Sequence, residues 1–354
     1  GFMTIGAYIS VLLKKRIGLQ EREQLQESVT ALEIAGVVRL VKKIVQGALC
    51  IEFLGAILLA LRFVPRFGTI KGIYFSLFHA VSAFCNGGFD LMGTDEAYSS
   101  LVAFEGDVLV NLVIVTLIIV GGIGFIVWDD VARNKWHFRR YLLHSKIVIT
   151  VTFLLTVLGT ILFLITEKDA AFAGMNPLER FLGALFSSVT PRTAGFNSVD
   201  TAALSNSGKL LTMVMMFIGG SPGSTAGGVK TTSMVVLLFY AVAMILNKED
   251  INLFGRRLTD EVVKKANAVV VINATLTIIA TVIIMALQPL LNFEDVLFEV
   301  LSAIGTAGMT VGITRDLNII SRVIIIVLMY CGRLGSLSFA LVFAQKNTSA
   351  SVRQ

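Results

Sequence analysis

Three short passages in this 354-residue chain combine residue types that could strip and hold a bare cation. They are Phe84-Cys85-Asn86-Gly87-Gly88-Phe89, Thr190-Pro191-Arg192-Thr193-Ala194-Gly195-Phe196-Asn197 and Ile304-Gly305-Thr306-Ala307-Gly308-Met309. Each follows a short apolar run and precedes a long one, and their last glycines stand 107 and 113 residues apart. Small side chains leave backbone carbonyls accessible, and glycine takes backbone angles that other residues avoid. A short helix ending at such a turn points the negative end of its dipole toward it. Several such turns around one axis make a ring of carbonyl oxygens that can replace an ion's hydration shell. Glycines that only let membrane helices pack closely would not recur three times behind a half-length helix.

Two further features sit beyond those turns. Gly219-Gly220-Ser221-Pro222-Gly223-Ser224-Thr225-Ala226-Gly227-Gly228 breaks the apolar stretch Leu210–Leu246 at its centre. A phosphate-binding loop needs GxxxxGK[ST] after a strand. Gly223 to Gly228 has the spacing, but Val229 stands in the lysine's place, Lys230 comes one residue late, and no strand precedes it. The glycines and the proline instead favour a helix unwound in mid-membrane, where exposed backbone must face protein or a watery cavity. Arg333, in Cys331-Gly332-Arg333-Leu334-Gly335, lies within a long apolar run, and a charge at that depth faces an interior or a pore. It can act as a barrier to cations or as a partner for the loop's carbonyls. The other chemistry-bearing residues carry no such signal. His79, His137 and His144 are scattered without metal-ligand spacing, and no catalytic constellation is present. Cys50, Cys85 and Cys331 form no CxxC pair and read as small buried hydrophobes.

The elements that must position these residues are membrane helices. The chain is 55% hydrophobic and 15% charged, with a mean hydropathy of +0.80, far from a soluble composition. Its +6 charge is confined to short clusters: Lys14-Lys15-Arg16, Lys42-Lys43, Arg133 to Arg140, Arg256-Arg257 and Lys264-Lys265. Basic clusters flanking apolar spans mark cytoplasmic loops and argue against a nucleic-acid partner. Spans are expected over 44–64, 107–128, 147–165, 210–246 (broken), 266–287 and 319–343, and half-spans over 73–84, 177–189 and 293–304. A polar break is expected over 66–71, and a cytoplasmic or interfacial helix over 14–43. The fold expected is an all-α polytopic membrane protein of span, re-entrant pore helix, filter turn, span. The repeats fall at 45–144, 145–265 and 266–354, with 1–44 as the end of a truncated first repeat plus the cytoplasmic helix. Gly1-Phe2-Met3-Thr4 matches the place of Gly124-Phe125-Ile126-Val127 in such a copy, so the full pattern is pseudo-fourfold with its first repeat largely missing. Helices broken in mid-membrane also build the solute sites of carriers, so a secondary transporter coupled to sodium or protons is the alternative. Carriers usually show inverted repeats, whereas these copies all begin on the same side.

The three turns and their order resemble the pore-forming membrane subunit of the Trk/Ktr/HKT superfamily of potassium transporters, closest to the bacterial Ktr type. The residues carrying the resemblance are Ser82 to Phe89, Thr190 to Ser198 and Ser302 to Thr310, and it covers nearly the whole chain. It implies potassium uptake across the bacterial cytoplasmic membrane by a multi-pass protein that is not an enzyme. Potassium is the transported ion, with sodium as a candidate coupling or activating ion. By the same resemblance Gly88, Gly195 and Gly308 are three of four filter glycines, and carbonyls of Asn86, Gly87, Thr193, Ala194, Thr306 and Ala307 complete the ion sites. Gly87 departs from the alanine of the other two turns. The broken helix would be an intramembrane gate, formed by Gly219, Gly220, Ser221, Gly223, Ser224, Thr225, Gly227, Gly228 and Lys230 together with Arg333. Such subunits sit in lipid as homodimers on a cytosolic nucleotide-binding regulatory ring.

Overall fold

A computed structural model describes residues 37–93, 98–135, 137–247 and 252–334. Its helices, in chain order, are α1 (Val37–Phe67), α2 (Thr69–Phe84), α3 (Val108–Gly122), α4 (Phe125–Asn134), α5 (Leu143–Thr166), α6 (Pro177–Val189), α7 (Asn206–Phe217), α8 (Thr231–Ile245), α9 (Asp260–Leu287), α10 (Phe293–Ile304) and α11 (Ile319–Leu334). The expected all-helical fold holds apart from a two-residue hairpin, Asn252–Leu253 against Arg256–Arg257. The expected helix end over 1–13, most of the 14–43 segment and the last expected span beyond Leu334 lie outside the described residues.

Among the described residues, three helical stretches are long and apolar enough to cross a bilayer unbent: Val41–Phe67, Leu143–Thr166 and Asp260–Leu287. Their outward faces carry large apolar side chains such as Phe53, Leu61, Phe153, Ile165, Ile278 and Val282, a surface suited to lipid rather than water. The helices α2, α6 and α10 have 16, 13 and 12 residues. At 1.5 Å per residue they reach about 24, 20 and 18 Å, short of a hydrocarbon core about 30 Å thick. They are therefore half-spans. The entry to α6 is written locally: Pro177 takes the first helical position, and Asn176 and Glu179 form a reciprocal capping box, which satisfies two orphan amides at once.

One packing scheme is used three times. Within each copy the long span, the half-span and the following helix pack together: α1, α2 and α3, then α5, α6 and α7, then α9, α10 and α11. Between copies, α3 packs on α6 and α7 packs on α10, so each closing helix leans on the next copy's half-span, always in the same sense. Buried Phe63, Phe84, Phe186 and Phe196 tie the first two copies into one core. On the outer side, Glu167 is fully buried and accepts hydrogen bonds from the Ser205 amide (2.9 Å) and hydroxyl (2.5 Å), fixing the start of α7.

Three expectations are corrected. The stretch 107–128 is not one continuous helix: α3 and α4 are bent by 95° at Ile123-Gly124. Gly124 takes φ +96°, and a Cβ there would lie 2.6 Å from the Pro222 carbonyl, so the bend exists because another segment is seated in it. The polar break expected over 66–71 shrinks to the single residue Gly68, at φ +83°, because α1 runs on through Arg66, whose guanidinium stacks 4.4 Å from the Phe104 ring. Cys50 and Cys85 are exposed and only Cys331 is buried: Cys50 lies on an outward face of α1, and Cys85, at the end of α2, has its thiol 3.9 Å from the Glu52 carboxylate on α1.

Candidate ion pathway

Each half-span ends in a turn of the same backbone shape. Asn86, Thr193 and Thr306 take φ of +50°, +72° and +53°, and two residues on Gly88, Gly195 and Gly308 take +66°, +88° and +78°. The intervening Gly87, Ala194 and Ala307 are not left-handed. Left-handed backbone at alternate residues turns successive carbonyls to one side, where an ordinary strand would alternate them. The left-handed conformation disfavours L-residues with side chains by about 1–2 kcal/mol each, and here it recurs at a non-glycine position in all three copies. Such strain persists only where surrounding structure over-determines it.

The turns stand side by side in one rotational order. A Cβ on Gly88 would lie 2.2 Å from the Ala194 carbonyl, and one on Gly195 would lie 2.4 Å from that of Ala307. On Gly308 it would meet no described atom within 4 Å. The Asn86 amide and the Thr193 hydroxyl are hydrogen-bonded at 3.3 Å, joining the first two turns. The structure thus brings together all nine residues singled out for the filter.

It also shows hydroxyl straps that sequence reasoning passed over. Ser82, Thr190 and Ser302 donate to the carbonyls of Phe89 (2.8 Å), Phe196 (2.5 Å) and Met309 (2.6 Å), each the residue after the last glycine. A Ser or Thr five or six residues before each of those glycines was the available signal. Arg192, inside the middle turn, is buried and points away, its guanidinium donating to the Thr152 hydroxyl at 3.2 Å.

The broken helix between α7 and α8 lies against this array. Its entry and exit pair as a short parallel bridge, Ile218 with Val229, and Gly219 and Gly220 back onto the Gly227 carbonyl. The Ser221 amide donates to Gly122 O (3.1 Å), the Thr225 amide to Gly121 O (3.3 Å), and the Phe125 amide to Gly223 O (2.9 Å). Ser221 and Ser224 close the loop on itself, through Thr231 (3.2 Å) and through the Ser221 carbonyl (2.6 Å). The Thr225 hydroxyl is shared between Gly121 O (2.9 Å) and Phe84 O (3.2 Å). The carbonyls freed by the 95° bend are therefore satisfied by the loop, as backbone at membrane depth must be.

The loop touches the third turn directly. Gly227 comes so close to Thr306 that a Cβ would lie 2.1 Å from its hydroxyl oxygen, and Gly228 lies against Gly305. Two cations hold it: Lys230 donates to the Ala226 carbonyl at 2.9 Å and Arg333 to the Thr225 carbonyl at 2.5 Å. Two glycines that sequence reasoning left unassigned make the approach possible. A Cβ on Gly121 would lie 1.9 Å from Phe84 O, and one on Gly332 would lie 2.1 Å from Ile304 O. Phe84 and Ile304 hold the same place, four residues before Gly88 and Gly308.

Half-spans converging on carbonyl-bearing turns, with a loop and two cations behind them, define a membrane protein of the cation-pore class. The family model described as TrkH, cation transport protein, matches residues 1–354, and the chain belongs to that family. It is a multi-pass membrane protein of a cation-transport family and not an enzyme. The chain is 40% identical over 359 residues to the potassium/sodium uptake protein NtpJ of Enterococcus hirae, covering 100% of this chain and 78% of that protein. It is 36% identical to Ktr system potassium uptake protein B of Bacillus subtilis, with 99% and 77% covered. The crystal structure of the potassium transporter TrkH from Vibrio parahaemolyticus superimposes with a TM-score of 0.71 at 17% identity, over 96% of this chain and 69% of that one.

Proposed function

We propose that this chain carries potassium into the cell across the bacterial cytoplasmic membrane, through a filter of backbone carbonyls. The observation that supports this best is the shared left-handed alternation in three adjoining turns, centred on Gly88, Gly195 and Gly308. Carbonyls of Asn86, Gly87, Thr193, Ala194, Thr306 and Ala307 supply the ligands, and a fourth turn closes the ring on the open side of Gly308. The names of the relatives, potassium uptake and potassium/sodium uptake proteins, favour potassium as cargo and sodium as its coupling or activating ion. On this reading 45–144, 145–265 and 266–354 are successive repeats. The loop from Gly219 to Lys230 and Arg333 form the gate, because a docked segment with two positive charges under the filter opposes cation passage. A homodimer on a cytosolic nucleotide-binding ring completes the proposal.

The test is potassium-limited growth of an uptake-deficient cell carrying full-length protein. Gly195→Asp places a bulky side chain and a charge where a Cβ alone would lie 2.4 Å from Ala307 O, and growth should fail while the protein still reaches the membrane. Growth equal to the parent's would overturn the filter assignment.

A further inference from the structure

The strand leaving each turn has to be held, or the carbonyls behind it drift. The residue nine places before each of the three glycines is His79, Phe186 or Glu299, at equivalent places on α2, α6 and α10. His79 is fully buried. Its Nδ1 lies 2.7 Å from the Phe75 carbonyl, which can only accept, so Nδ1 carries the proton. That leaves Nε2 to accept from the Leu91 amide at 3.3 Å, three residues past Gly88. The ring also lies against Phe196, the residue after Gly195, with centroids 6.3 Å apart and the planes tilted by 33°. Glu299 is 5% exposed. One carboxylate oxygen accepts from the Thr310 hydroxyl, the other from the Thr314 hydroxyl at 2.9 Å, and Thr310 lies two residues past Gly308.

The middle copy needs no such group. There Phe186 packs in the core, and the outgoing strand is pinned by the preceding copy's loop. The Leu101 amide donates to Asn197 O (2.8 Å) and the Asn197 amide donates to Ser100 Oγ (3.1 Å). All three strands are thus fixed two or three residues past the glycine, at Leu91, Asn197 and Thr310. A buried polar group costs free energy unless it is fully bonded, so an imidazole and a carboxylate at matching places are justified by what they hold. Glu299 backs the turn whose glycine, Gly308, has no described atom on its open side.

We propose that His79 and Glu299 are positioning residues for ion selection, which hold the strands leaving the first and third turns without touching the ion. This rests on the filter reading above. The experiment compares Glu299→Ala, Glu299→Gln, Thr314→Val and His79→Ala in the full-length protein, with Asp295→Asn as control on the same helix, where Asp295 pairs with Lys209 at 3.1 Å. Potassium KM and potassium-over-sodium discrimination are read per inserted molecule. Glu299→Ala and His79→Ala should each raise KM and lower discrimination by about tenfold, the equivalent of ~1.4 kcal/mol. Glu299→Gln, which keeps an acceptor oxygen, should retain most of both, and Asp295→Asn should match the parent. If Glu299→Ala does not insert, Thr314→Val decides, since it removes one donor and leaves the bond to Thr310. Parental KM and discrimination in Thr314→Val and His79→Ala, or losses explained by fewer inserted molecules, overturn the proposal. If Gly195→Asp abolishes uptake while these variants behave as parent, only this inference falls. If Gly195→Asp transports normally, the filter reading falls with it.

Discussion

Replacing Gly195 by alanine separates what the filter needs from what the fold needs. Two costs arise. The backbone sits at φ +88°, which disfavours any L-residue by about 1–2 kcal/mol. The new methyl lies 2.4 Å from the Ala307 carbonyl oxygen, so that carbonyl must retreat by about 1 Å to regain ordinary van der Waals separation. The first cost is small against a folding stability of roughly 5–15 kcal/mol. The second is not small for a binding site, where productive geometry is held to within about 0.5 Å. Gly195→Ala should therefore insert at near-parental levels and lose potassium-over-sodium discrimination by ten- to a hundred-fold, about 1.4–2.8 kcal/mol. Gly255→Ala is the control for strain alone, since Gly255 has φ +76° in the surface hairpin and no described atom within 4 Å of its would-be Cβ. A fourth turn beside Gly308 should bring Gly308→Ala down to the level of Gly195→Ala, whereas a three-walled opening would leave it milder. Tracer rubidium uptake with sodium competition, normalised to membrane protein, measures all of this. Parental discrimination in Gly195→Ala, or a loss matched by Gly255→Ala, would refute the reasoning.

Other perturbations address the loop and the frame. Arg333→Ala removes a donor to the Thr225 carbonyl and a positive charge beside the loop, and should raise potassium flux several-fold; an equal or lower flux counts against the proposed gate. Gly124→Ala drives a methyl to 2.6 Å from Pro222 O, unseating the loop from its bend, so flux should rise without a change in discrimination, as uptake with sodium competition will show. Glu167→Ala strips two hydrogen bonds from Ser205 and should destabilise by about 1.5–3 kcal/mol. It should read as a lower melting temperature in detergent, with discrimination intact.

The shape of the three glycine turns was legible because its requirement is local: the left-handed backbone at Gly88, Gly195 and Gly308 selects glycine, and that selection shows in single residues. Arg333 was legible because a lone charge in an apolar run has few physical excuses. The bend at Gly124 was not. Asp107 to Trp128 reads as one apolar span in spite of Gly121, Gly122 and Gly124, and the partners of the bend, the carbonyls of Pro222 and Gly223, lie about a hundred residues on. The Ser and Thr straps and the His79 and Glu299 ties escaped for a related reason, since each serves a partner that only the returning strand brings within reach. Cys50 and Cys85 are exposed against expectation because in a membrane an apolar surrounding in sequence marks a lipid-facing surface as readily as a core.

Anomalous scattering from rubidium or thallium bound to the full-length protein would locate the ions themselves. Density is expected on the axis enclosed by Gly88, Gly195 and Gly308, ringed by the carbonyls of Asn86, Gly87, Thr193, Ala194, Thr306 and Ala307 and lost in Gly195→Asp. Ions bound elsewhere in the membrane region, with those carbonyls bare, would contradict it.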